Sequence, residues 1–208
     1  PDYKYKTEVY RSGEIENGVL KGDLILKGGG DPALVSERFF LLAAEVARTG
    51  LKRIQGKLIV DDTVFDHVRW DKDRVDTKTD RAYNAPVGGL SFNYNTTTLY
   101  FRPANKEGSK VFVYPEPDTG YIRVINQSQT SKKGSPYKLV ASRMSDSKQI
   151  EDAILVNGSM PLGMDEQRSY FSVTRPEFYA ARGFQYFLKQ QGIEFENPNA
   201  LEAKSVPK

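Results

Sequence analysis

Four patterns in this sequence hold residue types able to do chemistry. The first, Gly28-Gly29-Gly30-Asp31-Pro32-Ala33, fits the G-x-G-x-x-A spacing that lets a backbone approach a pyrophosphate. Its details oppose that use. Asp31 sets a carboxylate where a phosphate would lie, Pro32 removes an amide donor, and Asp61 follows about 30 residues on rather than about 20. A tight turn with Asp31 capping local amides is the expected structure. The second pattern, Asp71-Lys72-Asp73-Arg74-Val75-Asp76, opens like a calcium loop but lacks its glycine, and Ala82 stands where the bidentate Glu belongs. The third is His67, the single histidine, set among charges with no spacing that ties it to a serine. The fourth is Ser-x-x-Lys, which on one helical turn places an amine beside the hydroxyl it helps deprotonate. It occurs at Ser135–Lys138 and Ser145–Lys148, both among turn residues. Ser91-Phe92-Asn93 precedes them, and no Lys-Thr-Gly is present. A chain of this length yields such short matches by chance.

The elements that would position these residues read as follows. Tyr5 to Arg11 and Val19 to Lys27 alternate polar and apolar residues around Asn17-Gly18, which predicts an antiparallel hairpin. Phe39, Phe40, Leu42, Ala43, Val46 and Ala47 mark a helix, with Ser36 as its expected N-cap and Gly50 closing it. Lys57 to Val60 reads as an inner strand. The charged stretch 61–82 has no period and reads as a long surface excursion. Short strands follow at Leu90–Tyr94, Thr98–Arg102, Lys110–Tyr114, Tyr121–Ile125, Lys138–Ser142, Ile154–Val156 and Ser169–Thr174. Thr174-Arg175-Pro176 then starts a helix with Thr174 as its cap, and Gly192 ends it before a strand at Ile193–Glu196. The prediction is an α/β (α+β) unit formed from both chain ends, 1–92 and 166–197. A β-rich inserted subdomain occupies 93–165, and a fraying tail 198–208.

Composition narrows the partners. Thirty Lys+Arg against 27 Asp+Glu are interspersed, so no basic block predicts nucleic acid. The longest apolar stretch, Phe39 to Val46, is far short of a membrane span and is broken by Glu45. The absence of cysteine excludes disulfides, thiolate catalysis and Cys-based metal sites. No metal or cofactor is expected.

One at a time these motifs carry little; their linear order carries more. Pro1-Asp2-Tyr3-Lys4-Tyr5-Lys6-Thr7 is followed by Asn17-Gly18-Val19-Leu20-Lys21-Gly22-Asp23-Leu24 and then by the glycine loop through Leu34. Gly50-Leu51-Lys52-Arg53-Ile54-Gln55-Gly56, Ile59-Val60-Asp61-Asp62-Thr63-Val64-Phe65-Asp66 and Trp70 come next. After them stand Tyr83-Asn84-Ala85-Pro86, Leu90-Ser91-Phe92-Asn93-Tyr94-Asn95, Phe187-Leu188 and Gly192-Ile193. This succession resembles the class C penicillin-binding proteins, the D-alanyl-D-alanine carboxypeptidase/endopeptidases of bacterial cell-wall metabolism. The likeness is close over 1–95 and again near 170–195, and loose across 96–168.

The resemblance implies a piece of a serine-acylating enzyme. In that family two extra domains lie between the Ser-x-x-Lys and Ser-x-Asn motifs, and this chain looks like those inserted domains without the catalytic one. The Ser-Lys pairs here do not match the family's catalytic positions, so no catalytic residue is assigned. The loop before Tyr83-Asn84-Ala85-Pro86 lies, by analogy, near the cleft. Asp80 and Tyr83 are the substrate-binding candidates there, an acid to meet a substrate amine and an aromatic to pack on its aliphatic chain, with Asp76 next in line. The implied partners are the peptidoglycan stem peptide and β-lactams, reached through the catalytic domain, in the periplasm or outside the cell. The competing expectation is a stand-alone extracellular binding module with no enzyme attached.

Overall fold

A computed structural model describes every residue except 1, 3, 67, 72, 74–78, 145–149, 207 and 208. His67, Asp76 and the pair Ser145–Lys148 therefore lie outside the described residues. The chain forms two compact units, one from 1–77, 86–95 and 175–208, the other from 78–85 and 96–174. It is α+β, with two α-helices among the described residues and several small sheets.

The first unit is built on a four-stranded sheet in the order Glu8–Ser12, Asp23–Lys27, Leu58–Asp61, Leu201–Ala203. The first pair is antiparallel, as the hairpin pattern predicts, and the other two pairs are parallel. Asn17 and Gly18 both take positive φ (51° and 80°) in the tip that joins Ile15–Glu16 to Val19–Leu20. Such a turn matches the natural twist of two strands and requires residues that tolerate the left-handed region. Leu58–Asp61 is buried at all four positions, which is why it reads as an unbroken apolar run.

Helices α1 (Ser36–Arg48) and α2 (Pro176–Gln190) pack on each other, and α2 also covers Leu58–Asp61. Their contact is aromatic. Phe92 stacks on Phe39 with ring centres 4.8 Å apart, Phe39 meets Phe184 at 5.4 Å, and Phe92 meets Tyr179 at 5.1 Å. All four rings are fully buried. Each such ring removes a large apolar area from water, so this cluster is the energetic centre of the unit. The excursion after Asp61 is tied to α2 by Arg69, which bonds Asp62 (2.7 Å), Glu177 (3.1 Å) and the Val87 carbonyl (3.1 Å).

Four expectations for these elements are corrected. Ser36 is not the cap of α1: the extended residue Val35 precedes the helix, and the Ser36 amide donates to Asn93 Oδ1 at 3.0 Å. A residue 57 positions away in sequence does the capping, which no local pattern encodes. Leu90–Tyr94 is not a strand. Phe92 makes one bridge to Leu34, and Asn93, Tyr94 and Asn95 then turn left-handed (φ 46°, 59° and 54°). Thr174 does not cap α2; Arg175 precedes it, and the Thr174 hydroxyl goes to Asp152 instead. The tail is ordered as far as Val206, where fraying was expected. Leu201–Ala203 pairs in parallel with Leu58–Val60, and Val206 donates its amide to Asp61 at 2.9 Å. Three residues are too few to show a period, and the open edge of the inner strand recruits them.

Among its described residues the second unit is all-β apart from the 3₁₀ turn Ala82–Asn84. Gln167–Ser172, Thr96–Arg102 and Phe112–Glu116 form an antiparallel sheet in that order. Val140–Met144, Asp152–Asn157 and Ile122–Asn126 form a second sheet, antiparallel then parallel. Gln129–Ser131 and Ser159–Pro161 add a parallel pair that the sequence pattern did not disclose. Thr96–Arg102 shows the half-buried alternation, with Thr97, Leu99 and Phe101 inside. Because Gln167–Ser172 pairs with this strand, residues 166–174 belong to the β unit and not, as expected, with the α/β one. Residues 78–85 join it as well, pinned by the bridge from Arg81 to Phe171.

Candidate functional site

Asp80 and Tyr83 sit on the short segment 79–85 of the second unit. Its backbone is fixed at both ends of the bridge. Ser172 donates its amide to the Asp80 carbonyl at 2.9 Å, and Asn84 and Ala85 donate back to Arg81 (2.9 Å) and Ala82 (3.1 Å) to close the 3₁₀ turn. Asn84, nearly fully buried, turns its amide group to the Thr79 carbonyl. With the segment clamped in this way, the two candidate side chains diverge. Asp80 is half-buried and its Oδ2 accepts the Arg143 amide at 3.2 Å. Tyr83 is 70% exposed, so it is a displayed ring rather than a core one.

Behind Asp80 lies a buried polar network that sequence reasoning missed. The Arg143 guanidinium donates to the Ser172 carbonyl and, at 3.3 Å, to the Ser172 hydroxyl; its Nε lies 3.7 Å from Asp152 Oδ2. Asp152 in turn accepts the Thr174 amide (2.9 Å) and hydroxyl (2.5 Å). Arg143 and Asp152 are 18% and 6% exposed, so each would be costly without the other. One signal was available. Asp152 opens the run Asp152-Ala153-Ile154-Leu155-Val156, and an acid leading a buried strand needs a cation or donors close by.

The remaining motifs resolve as structure. Asp31 caps the Ala33 amide at 2.9 Å and pairs with Arg38 at 2.8 Å, as the turn reading predicts. A side-chain carbon on Gly28 would lie 2.2 Å from the Gly89 carbonyl, and one on Gly29 2.2 Å from the Lys6 carbonyl. These glycines let backbones touch, which leaves no cradle for a phosphate. The Ser135 amide closes a turn on the Lys132 carbonyl, and neither Ser135 nor Lys138 is in a helix. Ser91 donates to the Gly88 carbonyl and Asn93 caps α1, so Ser91-Phe92-Asn93 is part of the scaffold. Asp71 Oδ1 accepts the nearby Asp73 amide at 3.0 Å, and no metal-holding group of three His, Cys, Asp or Glu exists among the described residues. No helix there is long and apolar enough to cross a membrane.

The chain thus combines an α+β unit with an all-β unit, and among the described residues its glycine loop and Ser135–Lys138 pair serve turns. It belongs to the D-Ala-D-Ala carboxypeptidase 3 (S13) family, matched over residues 1–205. It is 30% identical to the D-alanyl-D-alanine carboxypeptidase of Actinomadura sp. (strain R39), over 92% of this chain and 36% of that protein. To the D-alanyl-D-alanine carboxypeptidase DacB of Haemophilus influenzae it is 26% identical, over 97% of this chain and 41% of that one. Among solved structures it superposes on penicillin binding protein 4 (dacB) from Haemophilus influenzae with a TM-score of 0.75, covering 99% of this chain and 44% of that one, at 22% identity. A β-lactam complex of the same protein gives 0.66. The chain thus spans about four-tenths of the length of these relatives.

Proposed function

We propose that this chain is the non-catalytic inserted region of a serine-type D-Ala-D-Ala carboxypeptidase/endopeptidase. In this reading it acts in peptidoglycan metabolism in the periplasm or outside the cell, shapes access to the reactive serine and grips the stem peptide. The observation that carries the reading is one of coverage. The family match runs through almost the whole chain, yet that chain corresponds to only 36–44% of its relatives. The sequence has no Lys-Thr-Gly, and its described Ser-x-x-Lys is not on a helix. Attack by a serine on the peptide carbonyl, acyl-enzyme formation and release of the terminal D-alanine belong to groups this chain does not assemble.

Tyr83 and Asp80 are the proposed contacts of the insert with substrate. Tyr83 offers an exposed ring for the aliphatic part of a diamino acid, and Asp80 offers a half-buried carboxylate that accepts the Arg143 amide and could also accept from an amine. Asp76 keeps its place as the third candidate. The test uses the longer enzyme with this region in place. Tyr83→Ala and Asp80→Ala should each lower kcat/KM on a free stem peptide roughly tenfold, the size of one lost substrate contact. Unchanged values remove them from the site. The 208-residue chain alone should not be acylated by a fluorescent penicillin, and acylation of it would overturn the assignment.

A further inference from the structure

The outward face of the antiparallel sheet in the second unit has a composition that sheet packing does not require. Registered rows across the three strands bring Arg168, Tyr100 and Tyr114 together, then Tyr170, Thr98 and Glu116, and Arg102 beside Phe112. Tyr114, Tyr170 and Phe112 are 39%, 47% and 51% exposed. Outward strand positions are normally polar, and a contiguous exposed aromatic patch marks a binding surface. The rings are organised. Tyr100 and Tyr114 stack at 5.2 Å and 11°, Arg168 lies 5.6 Å over Tyr170, and Arg102 lies 5.3 Å over Phe112. The Tyr114 hydroxyl donates to Glu166 at 2.6 Å, which fixes the carboxylate at the rim. A depression of about 410 Å³ opens there, lined by Tyr100, Glu166, Gln167 and Arg168. That size falls within the range of small-molecule sites.

Charge selects the occupant. Arg102 and Arg168 are balanced by Glu116 and Glu166, so the face carries no net field to attract a polyanion or an anionic membrane. Its features are flat aromatic rings beside planar, bidentate donors and acceptors. A saccharide presents the complementary pair: C–H faces that stack on rings, and ring hydroxyl and acetamido groups that bond to guanidinium, carboxylate and amide. We propose that this face binds an uncharged stretch of N-acetylated amino-sugar glycan. The choice of sugar rests on the peptidoglycan reading above; the site itself rests on the sheet face.

The experiment titrates the 208-residue chain with a β-1,4-linked N-acetylglucosamine hexamer by calorimetry and by NMR shift mapping. A sugar-free stem peptide and a heparin fragment serve as separate arms. The hexamer should bind and shift the amides of 98–102, 112–116 and 166–170. Tyr170→Ala and Arg168→Gln should each weaken it roughly tenfold, as loss of one stacking or bidentate contact does. Tyr114→Phe, which keeps the ring and the fold and frees Glu166, should weaken it less. Absence of hexamer binding at millimolar concentration, equal affinity in these variants, or preference for heparin would each overturn the proposal. Failure of the Asp80 and Tyr83 enzyme test would leave this binding untouched, so the two readings fall separately.

Discussion

The two units solve the same problem with opposite materials. The first gathers its core around four rings, Phe39, Phe92, Tyr179 and Phe184, although Tyr5, Tyr10, Phe40, Phe65 and Tyr94 lie on its surface. Charged groups such as Arg69, Asp62 and Glu177 tie down its loop. The second puts aromatic rings on its outer sheet face and places an arginine–aspartate pair inside. Burial of those four rings stabilises the first unit. A buried ion pair contributes little net stability, and this one lies beside the segment 79–85, whose Asp80 accepts the Arg143 amide.

That contrast can be broken by substitution, and the largest effect is expected in the first unit. Phe92→Ala should cost about 3–5 kcal/mol, since it empties the middle of the ring cluster. Urea unfolding of the chain measures it. A cost near 1 kcal/mol would show that the rings are not the centre. Next, Arg143→Ala should cost about 3 kcal/mol by leaving Asp152 without its cation, the lower end because their contact is as long as 3.7 Å. Replacing both residues with Met and Leu should recover most of that stability. It should still loosen 79–85, read as faster amide exchange at Asn84 and Ala85. Recovery of protection there together with stability would mean that the pair has no positioning role. Asn93→Ala should cost about 1 kcal/mol, because the α1 cap at Ser36 is lost.

The smallest effect concerns acid. Burial of Asp61 pushes its carboxyl up, but bonds from the Thr63 hydroxyl, the Val206 and Thr63 amides and Lys27 outweigh it and hold the group below the ordinary carboxylate value. The folded state therefore favours the ionised form. The stabilisation is complete above the ordinary carboxylate range and is lost as pH falls through the lowered folded value. Asp61→Asn should flatten the acid limb of a plot of melting midpoint against pH and release the tail at Val206. An unchanged acid limb would remove Asp61 from this role.

Much of the first unit was legible because its signals are local. The alternation around Asn17-Gly18, the stripe from Phe39 to Ala47 and the apolar run at Leu58 each report on their own neighbourhood. What escaped was non-local. Asn93 capping a helix that starts at Ser36, Thr174 serving Asp152, and Leu201–Ala203 completing a sheet all join residues far apart in sequence. The site divides in the same way. Tyr83 and Asp80 were named through resemblance, whereas Arg143 had no pattern of its own to announce it. Six strands of the β unit match the sequence expectation with boundaries off by about two residues, Gln129–Ser131 and Ser159–Pro161 escape it, and 79–85 and 166–174 cluster with the β unit rather than with the α/β one. Turn residues show where a strand ends but not which sheet it joins.

The parallel partner at Leu201–Ala203 bears on how the molecule is made. During synthesis, strand Leu58–Asp61 gains Asp23–Lys27 on one side early, while its other side waits for residues at the far end of the chain. The stretch 96–174 is complete before then and has its own sheets. A nascent chain whose first 175 residues have cleared the ribosome would thus carry a complete β stretch and an inner strand with one naked, sticky edge, a species suited to chaperone capture.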